Sequence, residues 1–156
     1  MRYLAGLAGN LTPQNIAFSG HLDGIKATLT VRENLSFWAG IYGFENIDPI
    51  LEQLSLTTLQ SRAAGDLSAG QKRRPGLARM LLTNADIWLM DEPTVSLDTA
   101  TSDVIVDAIK THCANGGAAV ISTHIDMNIP NARILNITDF AAKQSDHTDP
   151  FLMGEF

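Results

Sequence analysis

The sequence predicts an α/β protein built on a parallel β-sheet, and three observations support this prediction. Short apolar runs alternate along the chain with helical segments whose starts can be recognised. The 156 residues suffice for one domain with its own core, since 45% of them are hydrophobic and 18% are charged. Runs ordered as strand, helix, strand predict parallel pairing through a crossover connection. We therefore expect functional side chains at the edge where the strands' carboxyl ends meet.

Four short apolar runs bounded by polar or turn residues are predicted to be strands. They are 15–19 (NIAFS), 86–90 (DIWLM), 118–122 (AAVIS) and 132–137 (ARILNI). Residues 1–9 are predicted to form an amphipathic helix. The segment 141–156 loses all periodicity and is expected to be a disordered tail.

Capping residues mark the helices between these runs. Thr30 and Glu33 form a capping box that predicts a helix from residue 31 onward. Pro49 suits the first turn of a second helix. A longer helix is predicted over 99–115, and Gly116 is its stop signal.

Composition and charge disfavour two classes, nucleic-acid-binding proteins and proteins that span a membrane. The net charge of −6 and the pI near 5.0 disfavour binding to DNA or RNA through a basic face. No apolar run reaches the roughly 18 residues needed to cross a bilayer, so we predict no direct membrane span. The single cysteine, Cys113, cannot form an internal disulfide and is expected to be a buried helix residue in a reducing compartment.

Acidic side chains and a histidine follow two of the predicted strands. Asp91 and Glu92 come directly after 86–90, and His124 closely follows 118–122. Parallel topology brings all three to one edge of the sheet. An apolar run that ends in two carboxylates suits a site in which Asp91 holds magnesium and Glu92 polarises a water molecule. An ordinary turn after a strand, and a purely structural histidine, are the alternatives for these residues.

A second capping box lies in the segment LSAGQ. Ser68 and Gln71 have the spacing of the motif, so a helix is predicted from Ala69. Its first amide groups would point outward, and Gly70 would permit close approach of a phosphate. The alternative is an ordinary capped helix with residues 72–74 on a solvated face. The residues by themselves leave both interpretations open.

The order of these motifs resembles that of ABC-type ATPases. The segment 67–71 is similar to the family's signature motif, and 87–93 is similar to its Walker B strand with the catalytic glutamate. The segment 96–98 (SLD) resembles the D-loop, and His124 stands in the position of the switch histidine. Four motifs in the family's order make a chance match improbable.

The upstream segment narrows the resemblance. Residues 18–35 resemble the family's Q-loop region, with His21 where most members have glutamine. With this substitution the chain most resembles the haem exporter ATP-binding subunits of cytochrome c maturation, over about residues 1–140. The resemblance implies an incomplete P-loop NTPase domain with a parallel sheet core. It also implies a helical signature subdomain, about 22–83, inserted between core strands.

In that family two subunits close face to face, and each nucleotide lies between one subunit's phosphate loop and the other's signature motif. The resemblance therefore implies ATP and Mg²⁺ as ligands, with Asp91 positioning the metal. It implies that Glu92 orients the attacking water and that His124 stabilises the γ-phosphate. The nucleotide-binding residues that it implies are Ser68, Ala69, Gly70, Gln71, His21 and Asp98.

The function implied by the resemblance is that of an ATP-hydrolysing subunit of a membrane complex for haem export or haem-chaperone release. Its partners would be a second ATPase subunit and integral membrane subunits, at the cytoplasmic or mitochondrial matrix face of the inner membrane. The alternative is a catalytically inactive module that lends only its signature face or binds membrane subunits. A family member acting on RNA or DNA is disfavoured by the acidic charge.

Three features depart from the family pattern. The phosphate loop GxxxxGK[ST] is absent from the 156 residues, from which we expect an incomplete amino terminus without autonomous activity. Only residues 10–14 stand where members carry a hairpin, and a misplaced start does not explain this shortening. Pro75 lies inside the predicted signature helix, where proline costs about 3 kcal/mol or forces a kink. Together these features suggest relaxed selection.

Overall fold

The strands form one parallel sheet in the computed structural model, which describes residues 15–20, 24–83 and 85–140. The strands are β1 (Ile16–Ser19), β2 (Ile87–Asp91) and β3 (Ala118–Ser122), in the spatial order β1-β2-β3. Both neighbouring pairs are parallel, which confirms the predicted α/β class. The predicted amino-terminal helix and tail lie outside the described residues.

The register of the sheet aligns the carboxyl ends of its strands. Ser19 of β1 lies opposite Met90 of β2, and Asp91 lies opposite Ser122 of β3. The last residues of all three strands therefore reach the same edge, as the topology predicts. We call this the carboxyl edge.

Four α-helices lie in the described segments, and their starts follow the capping residues. They are α1 (Val31–Tyr42), α2 (Asp48–Gln53), α3 (Ala69–Leu81) and α4 (Thr99–Ala114). Both sides of the Thr30–Glu33 capping box form, because each side chain accepts a hydrogen bond from the other residue's backbone amide. Asp98 caps α4 by accepting from the Thr101 amide at 2.8 Å.

Pro75 lies within α3 without interrupting it. A proline at this position removes the hydrogen bond that would reach the Gln71 carbonyl, and its ring crowds the same carbonyl. The helix packs against α1, α2 and β1, and Pro75 is itself buried. Tertiary packing thus offsets the cost of the proline.

The core is one cluster of buried side chains from all four helices and the strands β1 and β2. Its largest fully buried side chains include Val31, Leu35, Leu51, Leu54, Leu56, Leu77, Met80, Leu89, Met90, Ile105 and Ile109. The central strand β2 supplies apolar side chains to both of its faces, as expected for a parallel sheet. Met90, which precedes Asp91 at the carboxyl edge, is part of this core.

Two sequence predictions are wrong in this part of the molecule. The segment 132–137 is not a strand: it is irregular and leads into a 3₁₀ turn, Ile137–Phe140. Ile134 in it is 90% exposed, because no described strand pairs with this segment and an apolar run alone does not supply a partner. Cys113 is exposed rather than buried, since it lies on the outer face of α4. None of the helices in the described segments is long and apolar enough to span a membrane.

Candidate functional site

Glu92 and His124 meet at the carboxyl edge. Glu92 follows β2, and its backbone amide donates to the Ser122 carbonyl at 2.8 Å, which extends the ladder by one residue. Its Oε1 lies 2.9 Å from Nδ1 of His124, and its Oε2 accepts from the Thr123 hydroxyl at 3.2 Å. Since a carboxylate only accepts, Nδ1 of His124 carries the proton in this pair. The parallel topology therefore brings these two side chains into direct contact.

The electrostatics of this group favour an ionised carboxylate. The hydrogen bond from His124 is the main cause that lowers the pKa of Glu92, the Thr123 hydroxyl adds to it, and partial burial opposes it. The imidazole is 73% exposed and the Glu92 side chain 22% exposed, so solvent reaches the pair. A fixed carboxylate of this kind can orient a water molecule and stabilise developing positive charge. Because its pKa is lowered, it is a weak base and is less suited to removing a proton.

The backbone of Glu92 has an uncommon conformation. Its φ of +48° lies in the left-handed region, which costs a non-glycine residue on the order of 1–3 kcal/mol. The amide is held by Ser122, and the carbonyl accepts from the Val95 amide at 3.3 Å and from Nη2 of Arg73 at 3.1 Å. Strain at a residue held by several neighbours is typical of functional positions.

Asp91 ends β2 at the same edge and is half-buried. Within the described part of the chain its carboxylate takes no hydrogen bond and no ion pair, so its oxygens are available to a ligand. No cluster of three or more His, Cys, Asp or Glu residues suited to a metal occurs among the described residues. One available carboxylate instead fits Mg²⁺ that arrives with substrate phosphates and keeps several waters.

The predicted capping box at the start of α3 forms. Gln71 N donates to Ser68 Oγ at 3.3 Å, and Ser68 N donates to Gln71 Oε1 at 3.1 Å. The amides of Ala69 and Gly70 come next, at positions that have no partner within a helix. Such an end is suited to bind an anion.

The structure also requires a glycine at position 70 for packing within the chain. A Cβ atom added there would overlap the backbone carbonyl oxygen of Ser96. The first turn of α3 therefore packs directly on the segment between Glu92 and Asp98. The sequence predicted that a phosphate could approach Gly70 closely. In the structure the Ser96 carbonyl of the same chain also lies close to it.

Asp98 is engaged within its own chain. Its Oδ1 accepts from the amide and hydroxyl of Thr101, at 2.8 and 2.9 Å, and its Oδ2 pairs with Nη2 of Arg74. The Thr101 amide is the largest cause that lowers the pKa of Asp98, ahead of the Thr101 hydroxyl and the Arg74 charge, and burial opposes them. Asp98 thus links α3 to the start of α4.

The sequence motifs did not indicate that Arg73 lies buried beside the site. Residues 72–74 were considered as a solvated face, but Arg73 is only 7% exposed and Arg74 is half-buried. Helical spacing could have indicated this, because Arg73 shares a face with Leu77 and Met80, which are buried. His21 lies outside the described residues.

The chain is similar to known proteins over most of its length. Residues 8–95 match the ABC transporter family. The chain is 48% identical over 149 residues to the cytochrome c biogenesis ATP-binding export protein CcmA of Rhodobacter capsulatus, with 92% of this chain and 70% of that protein covered. It is 49% identical over 150 residues to the protein of the same name from Paracoccus denitrificans, with 92% and 71% covered.

Solved structures agree with these relatives. A dimeric ATP-binding cassette in a post-hydrolysis state, bound to ADP and Pi, matches with a TM-score of 0.61 and 27% identity over 74% of this chain and 54% of that one. The RNase-L inhibitor matches with a TM-score of 0.63 and 27% identity over 77% of this chain and 25% of that one. The chain therefore belongs to the ABC transporter family and, within it, to the cytochrome c biogenesis ATP-binding export proteins.

Proposed function

We propose that this chain is the ATP-binding and ATP-hydrolysing subunit of a membrane export complex that serves cytochrome c biogenesis. The observation that carries the proposal is the Glu92 carboxylate, which His124 and Thr123 hold beside Asp91 at the carboxyl edge. Phosphoryl transfer needs positioning and charge neutralisation more than covalent help from the protein. An available carboxylate next to an oriented one suits that chemistry.

Each residue at the edge has a role in this proposal. Asp91 holds the Mg²⁺ that accompanies ATP, and this ion neutralises phosphate charge. Glu92 accepts a hydrogen bond from the attacking water and orients it. His124 orients the Glu92 carboxylate through the hydrogen bond at Nδ1, and its exposed ring is available to the γ-phosphate.

The signature residues 68–71 act on the nucleotide of a second subunit. The capped amino terminus of α3 supports this role, because its outward amides can bind the γ-phosphate. The similarity to a dimeric ATP-binding cassette is consistent with the pairing. In this arrangement His21 senses the nucleotide and Asp98 lies between the two sites. Residues 22–83, which contain α1 to α3, form the helical signature subdomain between core strands.

The names of the relatives support a proposal for the cargo. Their names join cytochrome c biogenesis to export, and cytochromes c carry haem. We therefore infer that hydrolysis drives haem export or the release of a haem-loaded chaperone. The chain would bind integral membrane subunits at the cytoplasmic or mitochondrial matrix face of the inner membrane.

A second candidate is a catalytically inactive module that donates its signature face. The observation that favours it is the capping box at Ser68, which is fully formed. In that role the chain would complete the site of an intact partner. Glu92 would then have no catalytic effect.

Mixing this chain with a defective partner tests both candidates. The partner is the full-length Paracoccus denitrificans relative with its own signature serine replaced, and the measured quantity is the rate of ATP hydrolysis. We expect the chain to raise that rate, and Ser68→Arg to abolish the increase. A lower rate of ATP hydrolysis with the Glu92→Gln chain than with the unaltered chain supports an enzyme. An equal rate with the two chains supports the module. Arg62→Gln, an exposed substitution far along the sequence from the edge, is the control. No increase with the unaltered chain would contradict both candidates.

A further inference from the structure

A buried guanidinium lies beneath the carboxyl edge. Nη1 of Arg73 donates to the Gly20 carbonyl at 2.5 Å, and Nη2 donates to the Asp91 carbonyl at 2.7 Å and to the Glu92 carbonyl at 3.1 Å. These carbonyls lie at the ends of two neighbouring strands, β1 and β2. A single side chain of α3 therefore holds the ends of both strands.

The two carbonyls bound by Nη2 stand on either side of one Cα atom. They are the carbonyl groups of Asp91 and Glu92, and the Cα atom that they flank belongs to Glu92, the residue with the positive φ. A donor that bridges both oxygens favours the backbone turn that brings them together. Hydrogen bonds from a charged donor are stronger than neutral ones, and the planar guanidinium fixes their directions. The left-handed turn at Glu92 thus has a specific partner.

The same helix also contacts the rest of this segment. Gly70 packs on the Ser96 carbonyl, and Arg74 pairs with Asp98, while Arg73 holds the beginning of the segment at Asp91. Three positions of α3 within two turns therefore follow the chain from the end of β2 to the start of α4. The signature helix and the segment 91–98 form one connected unit.

We propose that Arg73 is the positioning residue for Glu92: its guanidinium fixes the backbone turn that aims the carboxylate, and couples the signature helix to it. The inference rests on the proposed function for its catalytic consequence. Binding of a nucleotide at Ser68 would then be transmitted to Glu92 of the same chain through α3. A residue that only fills buried space would lack this link.

Amide hydrogen exchange tests the positioning without any need for ATP hydrolysis. In the 156-residue chain, we expect Arg73→Gln to accelerate exchange of the Glu92 and Val95 amides about 10- to 100-fold, because both depend on the turn. Arg73→Lys is expected to give a smaller acceleration, since an ammonium lacks the planar fork, and it remains informative if the glutamine variant does not fold.

The matched control is Arg62→Gln, which removes another arginine that donates to a carbonyl, that of Asp66 at 3.0 Å. It should leave exchange at Glu92 unchanged. Equal exchange at Glu92 in the unaltered chain and in a folded Arg73 variant would overturn the inference. Acceleration spread evenly over the whole chain would also overturn it, since that is the result of a purely structural role.

Hydrolysis kinetics in the subunit mixture test the catalytic consequence. We expect Arg73→Gln to lower kcat about 10- to 100-fold, with KM changed much less, because a displaced carboxylate affects the reaction more than binding. In a Glu92→Gln background, Arg73→Gln should add little, since both act on the same group. If the double variant lowered kcat by the product of the two single effects, Arg73 would not act through Glu92. If the unaltered chain promotes no hydrolysis, the proposed function fails, and the exchange measurement still decides the role of Arg73.

Discussion

The region from α1 to β2 and the region after α4 differ in how completely they bury apolar side chains. In the first, Leu35, Leu54 and Leu77 are fully buried, and α3 packs against α1, α2 and the strand β1. In the second, Val120 of β3 is 44% exposed and Ile134 is 90% exposed. The first region therefore contains most of its own stabilising contacts, and it also supports the signature helix and Glu92. Substitutions in the two regions should have very different consequences.

The largest expected difference concerns single core residues. Leu77→Ala should lower the free energy of unfolding by about 2–5 kcal/mol, because it removes a fully buried side chain and leaves a cavity. Ile134→Ala, in the exposed region, should change it by less than about 0.5 kcal/mol. Urea unfolding of both variants measures this. Similar losses would show that the second region is as tightly packed as the first.

Two glycine substitutions of opposite expected sign sharpen the comparison within the first region. Gly70→Ala should destabilise by about 1–3 kcal/mol, because the new methyl group overlaps the Ser96 carbonyl. Gly40→Ala lies in α1 with open space around it, and should stabilise by about 0.5–1 kcal/mol through helix propensity. Unfolding midpoints in urea distinguish the two. Stabilisation by Gly70→Ala would contradict the close packing of α3 on the segment 91–98.

Loss of the signature cap should have a smaller effect. Ser68→Ala removes one side of the capping box and should cost about 1 kcal/mol. Ser61→Ala, at an exposed loop position, is the control and should cost almost nothing. The same urea measurement applies. An equal effect of the two would mean that the cap contributes no stability to α3.

The smallest expected effect is on pH dependence. His124→Ala should raise the pKa of Glu92 toward its ordinary value, because the hydrogen bond from His124 is the main cause of its lowering. In the unaltered chain the stability from Glu92 is present above the unfolded-state pKa of about 4.3 and is lost as pH falls through the lower folded value. The variant should therefore lose less stability on acidification below about pH 4.3.

Titration of the Glu92 carboxyl carbon by NMR measures this shift directly. Thr123→Ala is a graded control, since its hydroxyl is a lesser cause and should move the pKa less in the same direction. An unchanged Glu92 titration in His124→Ala would contradict the proposed electrostatics.

Local signals in the sequence predicted much of the fold. The capping boxes at Thr30 and Ser68 depend on residues three positions apart, and both form. The three strands of the sheet and their shared carboxyl edge also follow from apolar runs and chain order. Contacts of this kind need no knowledge of distant residues.

Features that depend on distant partners could not be predicted. The segment 132–137 has a strand-like composition, but a strand requires a neighbour to pair with. The burial of Arg73 against its carbonyl partners could not be predicted, because these partners, at Gly20, Asp91 and Glu92, lie elsewhere in the sequence. The positive φ of Glu92 likewise results from tertiary contacts.

ATP hydrolysis by the membrane complex proposed for this chain tests the role of the carboxyl edge most directly. We expect Glu92→Gln to lower the rate about 100-fold or more, since it removes the carboxylate that orients the water. Arg62→Gln should leave the rate unchanged. A Glu92→Gln complex that hydrolyses ATP as fast as the unaltered one would contradict the catalytic role proposed for this edge.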